Sequence, residues 1–374
     1  MMRRMQIHFF GGMTAQQFVQ EYWQKKPLLI RNAFPDFGGM LSPEDLAGLA
    51  CEEEAQSRLV LCSRGKWTLE QGPFDEQRFA RLPEKGWSLL VQGVNHFLPE
   101  ADALLHQFDF IPRARLDDLM VSFAPDGGGV GPHFDSYDVF LLQGQGKRLW
   151  RVSSQSDMEL VPDAPLRILK NFHTDQEWML EPGDMLYLPP RLAHWGIAVG
   201  DCMTWSIGFR APSAQELATQ FLGYLQDHVR VDGIYADPDL RLQRHPAEIS
   251  GQMLGKVRAM LDGIRWDGND IVRFLGTYLT EPKPHVLFDP PRRIGQEKFR
   301  QRLMKNGISL DLKTLVLFHG NSFFINGESV EVDDVTLSYL VALADHRTMP
   351  PGLDVPQPVL DLMHQWYGAG YLSF

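Results

Sequence analysis

Ala124-Pro-Asp-Gly-Gly-Gly-Val-Gly-Pro-His-Phe-Asp-Ser-Tyr-Asp-Val-Phe140 is the stretch on which the reading of the whole chain turns. A glycine loop, expected to be flexible, runs straight into His133 and Asp135, and the apolar alternation that follows predicts a strand. Side chains two apart on a strand share a face, so His133 and Asp135 converge, and an imidazole and a carboxylate can grip one ion. Two histidines and one carboxylate on one face of an octahedron suit divalent iron, cobalt or manganese, with positions left open for a co-substrate and dioxygen. Downstream, Glu181-Pro-Gly-Asp-Met-Leu-Tyr-Leu-Pro-Pro-Arg-Leu-Ala-His194 predicts a turn, a short apolar strand and then the second histidine, His194, in a Pro-rich loop. Another triplet, His173-Thr-Asp175, lacks both the glycine loop and the apolar alternation and reads as surface loop. The parity of the ligand strand puts Tyr137, Val139 and Leu141 on the metal-facing side unless a bulge intervenes.

Further on, Gly144-Gln-Gly146 predicts a turn into Lys147-Arg-Leu-Trp-Arg-Val152. Lys147, Leu149 and Arg151 share the outward face, which leaves Arg148 pointing inward with Trp150 and Val152. An unpaired guanidinium is very costly there, so a carboxylate must meet it: an internal Asp or Glu, or that of a ligand gripped by the planar fork. Lys147 takes this role if the register slips.

The chain has 374 residues, 44 % of them hydrophobic, enough for two or three domains with sizeable cores. A net charge of −11 argues against a general binder of phosphate backbones and favours a cationic partner. Cys51, Cys62 and Cys202 have no metal-ligand spacing and leave one thiol over in any disulfide scheme, as expected of a reducing compartment. Met1-Met-Arg-Arg4 is basic, but Gln6, His8 and Gly11-Gly12 stand where a leader has its apolar core, and no run reaches membrane-spanning length. The cytoplasm is the expected location.

Thr14 and Ser42 are helix caps, followed by Phe18, Tyr22 and Trp23 in the first helix and Pro43 with acids in the second. Short β-prone segments around Arg58–Leu61, Trp67–Leu69, Trp87–Val91 and Leu119–Phe123 suit an antiparallel sandwich or barrel. After Pro212 the pattern turns helical. Ser213 to Glu216 is a capping box with Leu217, Phe221, Leu225 and Val229 behind it, and further helices are expected over 246–264 and 269–278. A helix near Glu297–Lys305, a hairpin through Thr314–Phe318, Ser322–Ile325 and Ser329–Val332, and two last helices suggest a winged-helix-like end. Residues 286–374 carry eight Lys or Arg against ten Asp or Glu, a net of −2, so the end domain shows no basic stripe for DNA.

Taken together, Gly127-Gly-Gly-Val-Gly-Pro-His-Phe-Asp135, Tyr137 through Trp150, the Glu181 to His194 segment and Trp205-Ser-Ile-Gly-Phe-Arg-Ala-Pro212 resemble the JmjC-type ribosomal oxygenases. The resemblance covers most of the first 212 residues and implies a mixed α and β chain built on a cupin-like double-stranded β-helix, a jelly roll. The expected domains are an oxygenase domain over 1–212, a helical module over 213–284 that dimerises, or else merely caps the barrel, and a winged-helix-like domain over 285–374. It further implies Fe(II), 2-oxoglutarate and dioxygen as cofactor and co-substrates, His133, Asp135 and His194 as metal ligands, and Arg148 with the Ser122 hydroxyl on the distal carboxylate of 2-oxoglutarate. The implied substrate is an arginine of a large-subunit ribosomal protein, with a histidine of another ribosomal protein as the alternative. Asp126, Tyr137 and Asp138 flank the ligand pair and suit a cationic side chain. A metal-binding cupin of another activity would commonly add ligands, yet no His-x-His pair occurs here. A non-catalytic winged-helix regulator with a ligand-sensing barrel would release no succinate.

Overall fold

The computed structural model describes residues 10–374, so the basic start Met1-Met-Arg-Arg4 lies outside the described residues. The two caps work as their sequences require. Thr14 and Ser42 side chains accept from the N–H groups of Gln17 and Asp45, both at 3.1 Å, and start helices α1 (Ala15–Glu21) and α2 (Pro43–Leu49). Phe18 of α1 is fully buried against Phe140 and Tyr187, a burial that stabilises by about 2–3 kcal/mol.

Among the described residues, nine strands pair antiparallel in one sheet: β1 (Leu28–Ile30), β2 (Ser57–Ser63), β3 (Lys66–Gln71), β4 (Trp87–Val91), β5 (Leu116–Ala124), β6 (Val139–Ser153), β7 (Gln176–Leu180), β8 (Met185–Leu188) and β9 (Ala193–Phe209). Their order is β1-β8-β6-β9-β5-β4-β2-β3, with β7 on the far half of β6. Short helices α3 (Glu76–Phe79) and α4 (Pro99–Leu105) lie between strands. Strands β6 and β9, 15 and 17 residues long, run side by side and carry the others, giving the antiparallel jelly-roll sandwich expected.

Two expectations about this frame need correction. Gly144-Gln-Gly146 is not a turn between strands; β6 passes straight through it, with shifts of register against β9 at Gln143, Gln145 and Lys147. Gly146 has φ +62°, and a Cβ there would run into the Asp201 carbonyl, so the two glycines form a bulge inside one long strand. The ligand segment is likewise not regular strand. His133 makes an isolated bridge to His194, and the ladder of β6 begins only at Val139.

After the sandwich come α5 (Ala214–His228), α6 (Gly251–Leu261) and α7 (Gly268–Thr280). Phe221 and Tyr224 of α5 pack on Phe274 of α7. Helix α7 lies before the expected break at 284, yet it also packs on the end domain: Phe324 closes on Gly276, and the Thr280 hydroxyl accepts from the Gly327 N–H at 3.0 Å. The end domain holds α8 (Gln296–Asn306), β10 (Ile308–Leu310), β11 (Val316–His319), β12 (Ser322–Ile325), β13 (Glu328–Glu331), α9 (Asp334–His346), β14 (Thr348–Met349), α10 (Gln357–Gly368) and β15 (Leu372–Ser373). Its core of Phe299, Phe323, Leu340, Leu343, Val359 and Met363 is separate from that of the sandwich. It docks through Arg347 on Asp102 at 3.3 Å and Arg113 on the Asp345 carbonyl at 2.8 Å. No helix among the described residues is long and apolar enough to cross a membrane.

Candidate metal centre

His133 and His194 are locked face to face by their backbones. The N–H of each donates to the carbonyl of the other, at 2.9 and 2.8 Å. His194 is therefore the second residue of β9, tied into the ladder, and not a member of the Pro-rich loop that precedes it. Each imidazole also keeps its Nδ1 at 2.9 Å from a carbonyl, Gly131 for His133 and Leu192 for His194. A carbonyl can only accept, so Nδ1 carries the proton and Nε2 offers its lone pair. Both Nε2 atoms face Asp135 Oδ2, at 3.9 Å from His133 and 3.6 Å from His194. Ligand atoms of these three residues lie within 4.8 Å of one another, the spacing a single ion needs. Burial, and then the neighbouring His133, push the His194 imidazole down to about 4, so its lone pair stays available well below neutrality. Two neutral imidazoles and a carboxylate make a borderline N/O set that fits divalent iron.

The three open into a cavity of about 390 Å³. Gly131, at φ +80°, brings the chain in between Trp67 and Ile168, where a Cβ would stand 2.9 and 2.7 Å from their side chains. Gly127 and Gly128 pair with Ala198, so the glycine loop is held in place, against the expected flexibility. The triplet His173-Thr-Asp175 is on the surface, where Asp175 accepts from the Ser154 N–H and hydroxyl at 2.6 Å.

Arg148 points inward with Trp150 and Val152, and Lys147 and Arg151 pair outside with Glu181 and Glu177. It is 6 % exposed, and the one hydrogen bond that its side chain makes among the described residues is Nη1 to the Ser122 hydroxyl at 3.4 Å. Its Nε and Nη2 have no partner, and among the described residues no carboxylate meets it. Six buried side-chain nitrogen or oxygen atoms among the described residues lack a hydrogen-bond partner. Five of them, Arg148 Nε and Nη2, Trp150 Nε1, Ser88 Oγ and Asp118 Oδ2, belong to residues lining this cavity. Orphaned donors on a buried guanidinium are the signature of a site built for an anion, and a dicarboxylate such as 2-oxoglutarate fits it.

Comparison with known proteins agrees with this geometry. A JmjC domain model matches residues 103–217 and a ROXA-like winged-helix model residues 263–373. The Ribosomal protein uL16 3-hydroxylase of Escherichia coli K12 is 37 % identical over 317 residues, covering 84 % of each chain. A probable ribosomal oxygenase of Haemophilus influenzae is 42 % identical over 233 residues, 61 % of this chain and 55 % of that one. The structure of YcfD, a ribosomal oxygenase from Escherichia coli in complex with cobalt and 2-oxoglutarate, superposes with a TM-score of 0.82 at 34 % identity, covering 97 % of this chain and 98 % of the other.

The chain belongs to the JmjC-type ribosomal oxygenases. In this oxygenase, Tyr137 lines the cavity as expected, and burial, then Asp135, raise its phenol. Asp138 does not line it. Its carboxylate is fully buried on the other side of the chain, accepting from the Tyr187 hydroxyl at 2.6 Å, Gln24 at 2.9 Å and Arg115 at 3.3 Å. Parity counted back from β6 explains this, since Val139 and Leu141 line the cavity while Asp138, like Phe140, faces the other way. Asp126 is also outside the cavity wall; it accepts from the Gly200 N–H at 3.1 Å and braces the bend of β9. Besides Asp135, the carboxylates that line the cavity are Asp117 and Asp118, which the sequence reading passed over, and Asp118 is the buried one. Burial, then Asp117, raise its carboxyl, while Lys283 acts against them. Its signal lay in parity with Ser122: Asp118, Met120 and Ser122 line the cavity from one face of β5.

Proposed function

We propose that this oxygenase hydroxylates a side-chain carbon of an arginine in a large-subunit ribosomal protein, in the cytoplasm, and that it works as a homodimer. The observation that carries the reading is the pair of unsatisfied groups in one cavity. Arg148 offers donors to an anion, and Asp118 Oδ2 offers an acceptor to a cation beside the Tyr137 ring. Ser122, which touches Arg148, and Asp118 stand four residues apart on β5, roughly 13 Å, so the two charges have separate seats.

His133, Asp135 and His194 would hold the metal through two Nε2 atoms and a carboxylate oxygen, and Arg148 with Ser122 would orient 2-oxoglutarate by its distal carboxylate. Divalent iron held there would supply the oxidative chemistry, hydroxylation of the target carbon coupled to conversion of 2-oxoglutarate and dioxygen to succinate and carbon dioxide. No protein group has to move a proton for this chemistry. The residues bind, orient and keep the site dry, and Trp150 beside His194 serves the last purpose. The relatives named as acting on ribosomal proteins support the substrate class, and the net charge of −11 suits basic ribosomal partners.

The test is mass spectrometry of arginine-containing and histidine-containing ribosomal peptides incubated with the protein, iron and 2-oxoglutarate. The arginine peptide should gain one oxygen. His133→Ala, Asp135→Ala and His194→Ala should abolish the gain, and Asp175→Ala should leave it intact. Oxidation of the histidine peptide alone overturns the arginine reading, and loss of activity in Asp175→Ala with activity kept in Asp135→Ala overturns the metal assignment.

A further inference from the structure

Asp118 is 4 % exposed; its Oδ1 accepts a long hydrogen bond from Gln92 at 3.4 Å, the Gly93 N–H also supports the carboxylate, and Oδ2 is left without a hydrogen bond. Near its unsatisfied Oδ2 stands one cation from outside the sandwich. Lys283 Nζ lies 3.6 Å from Asp118 Oδ2 and 3.1 Å from Asp117 Oδ1, and its side chain is 36 % exposed. Lys283 follows α7 between Pro282 and Pro284, which restrict the backbone on both sides and aim the residue at the two carboxylates. It lines an open cleft that shares Arg58, Gln92 and Tyr137 with the metal-site cavity. Arg210 also reaches Asp117, at 3.3 Å, so that carboxylate is shared while Asp118 depends on Lys283 for a counter-charge.

We propose that Lys283 is a resident cation that holds the place of the substrate's guanidinium on Asp118 and sets the preference for arginine over lysine. The inference rests on the arginine reading above and adds to it the residue that enforces the choice. A tethered amine competes at an effective concentration in the millimolar range. An incoming lysine brings the same group and gains nothing over it. An incoming arginine brings a planar fork that can bond a carboxylate at two points, and so displaces the amine. Lys283 then falls back on Asp117, to which it is already closer.

The experiment uses the full chain and a basic ribosomal peptide carrying arginine, lysine or citrulline at one position, with binding followed by fluorescence anisotropy. Lys283 is labelled with an amine-acylating reagent and read by peptide mass spectrometry against exposed Lys66. The arginine peptide should increase labelling of Lys283, whereas the lysine and citrulline peptides should not. Lys283→Met should tighten the arginine peptide about 2- to 5-fold, the range of a half-exposed ion pair, and narrow the arginine-to-lysine preference by a like factor. Lys283→Arg, a resident with the better grip, should weaken it. Arginine-peptide binding with Lys283 labelling unchanged or reduced, or weaker binding in Lys283→Met, overturns this inference alone. No binding of the arginine peptide to the wild-type chain overturns the arginine reading and the inference with it.

Discussion

At the scale of single residues, side-chain parity carried most of what could be read. Arg148 was legible because two charges on the opposite face left it only one direction, and the structure leaves its Nε and Nη2 without partners. If its fork holds the distal carboxylate of 2-oxoglutarate, Arg148→Ala removes a charge-assisted two-point contact. Such a loss costs on the order of 2–5 kcal/mol, roughly 30-fold to several-thousand-fold in half-saturation. Arg148→Lys should fall between, with charge but no fork, and Arg151→Ala, whose side chain pairs outside with Glu177 at 2.8 Å, should be silent. Titrating 2-oxoglutarate against succinate at fixed iron decides it, and an unchanged half-saturation in Arg148→Ala sinks the assignment. The reading went wrong where this rule was not applied. Asp138 was grouped with Tyr137 by nearness in sequence although its parity sends it to Tyr187, and Asp118 was passed over although it shares a face with Ser122.

At the scale of elements, capped helices and short strands were legible because each is specified locally. Thr14, Ser42 and Ser213 all cap their helices as their sequences announce, and each closes a capping box. The bulge at Gly144–Gly146 was not, because what requires it is the Asp201 carbonyl on another strand. Gly-x-Gly between apolar runs is equally the signature of a turn, and only the partner strand tells the two apart. A comparison of two glycines tests the bulge. Gly146 and Gly200 have nearly the same φ, +62° and +69°, so alanine at either meets a similar backbone cost of about 1–2 kcal/mol. At Gly200 the added methyl meets nothing within 4 Å, while at Gly146 it strikes backbone. Gly146→Ala should therefore cost on the order of 1–3 kcal/mol more in denaturant unfolding, and should raise the 2-oxoglutarate half-saturation by disturbing Arg148 two residues on. Equal midpoints for the two variants would show that the bulge is not constrained as described.

At the scale of the whole molecule, the chain order of sandwich, helices and winged end was legible from changes in periodicity, but strand order was not, since it depends on pairings between distant segments. Nor could sequence reveal that α7 serves both the helical module and the end domain. More than half of the exposed large apolar side chains among the described residues fall within 213–284, a fifth of the chain, Leu222 at 65 % and Leu254 at 58 % exposure among them. A soluble monomer rarely leaves so much apolar surface together, and a twofold partner would bury the same patch on both copies. The full chain should therefore scatter light as a particle of about twice 42.6 kDa at micromolar concentration. Leu222→Glu with Leu254→Glu puts two charges on that surface and should yield a monomer, because each would lose its water on association without a partner charge. The variant should keep its metal site, which lies in the other core, and so bind iron as the wild type does. A wild-type chain that scatters as a monomer, or a double variant that stays dimeric, would remove the helical module from the account of assembly and leave it as a cap on the sandwich.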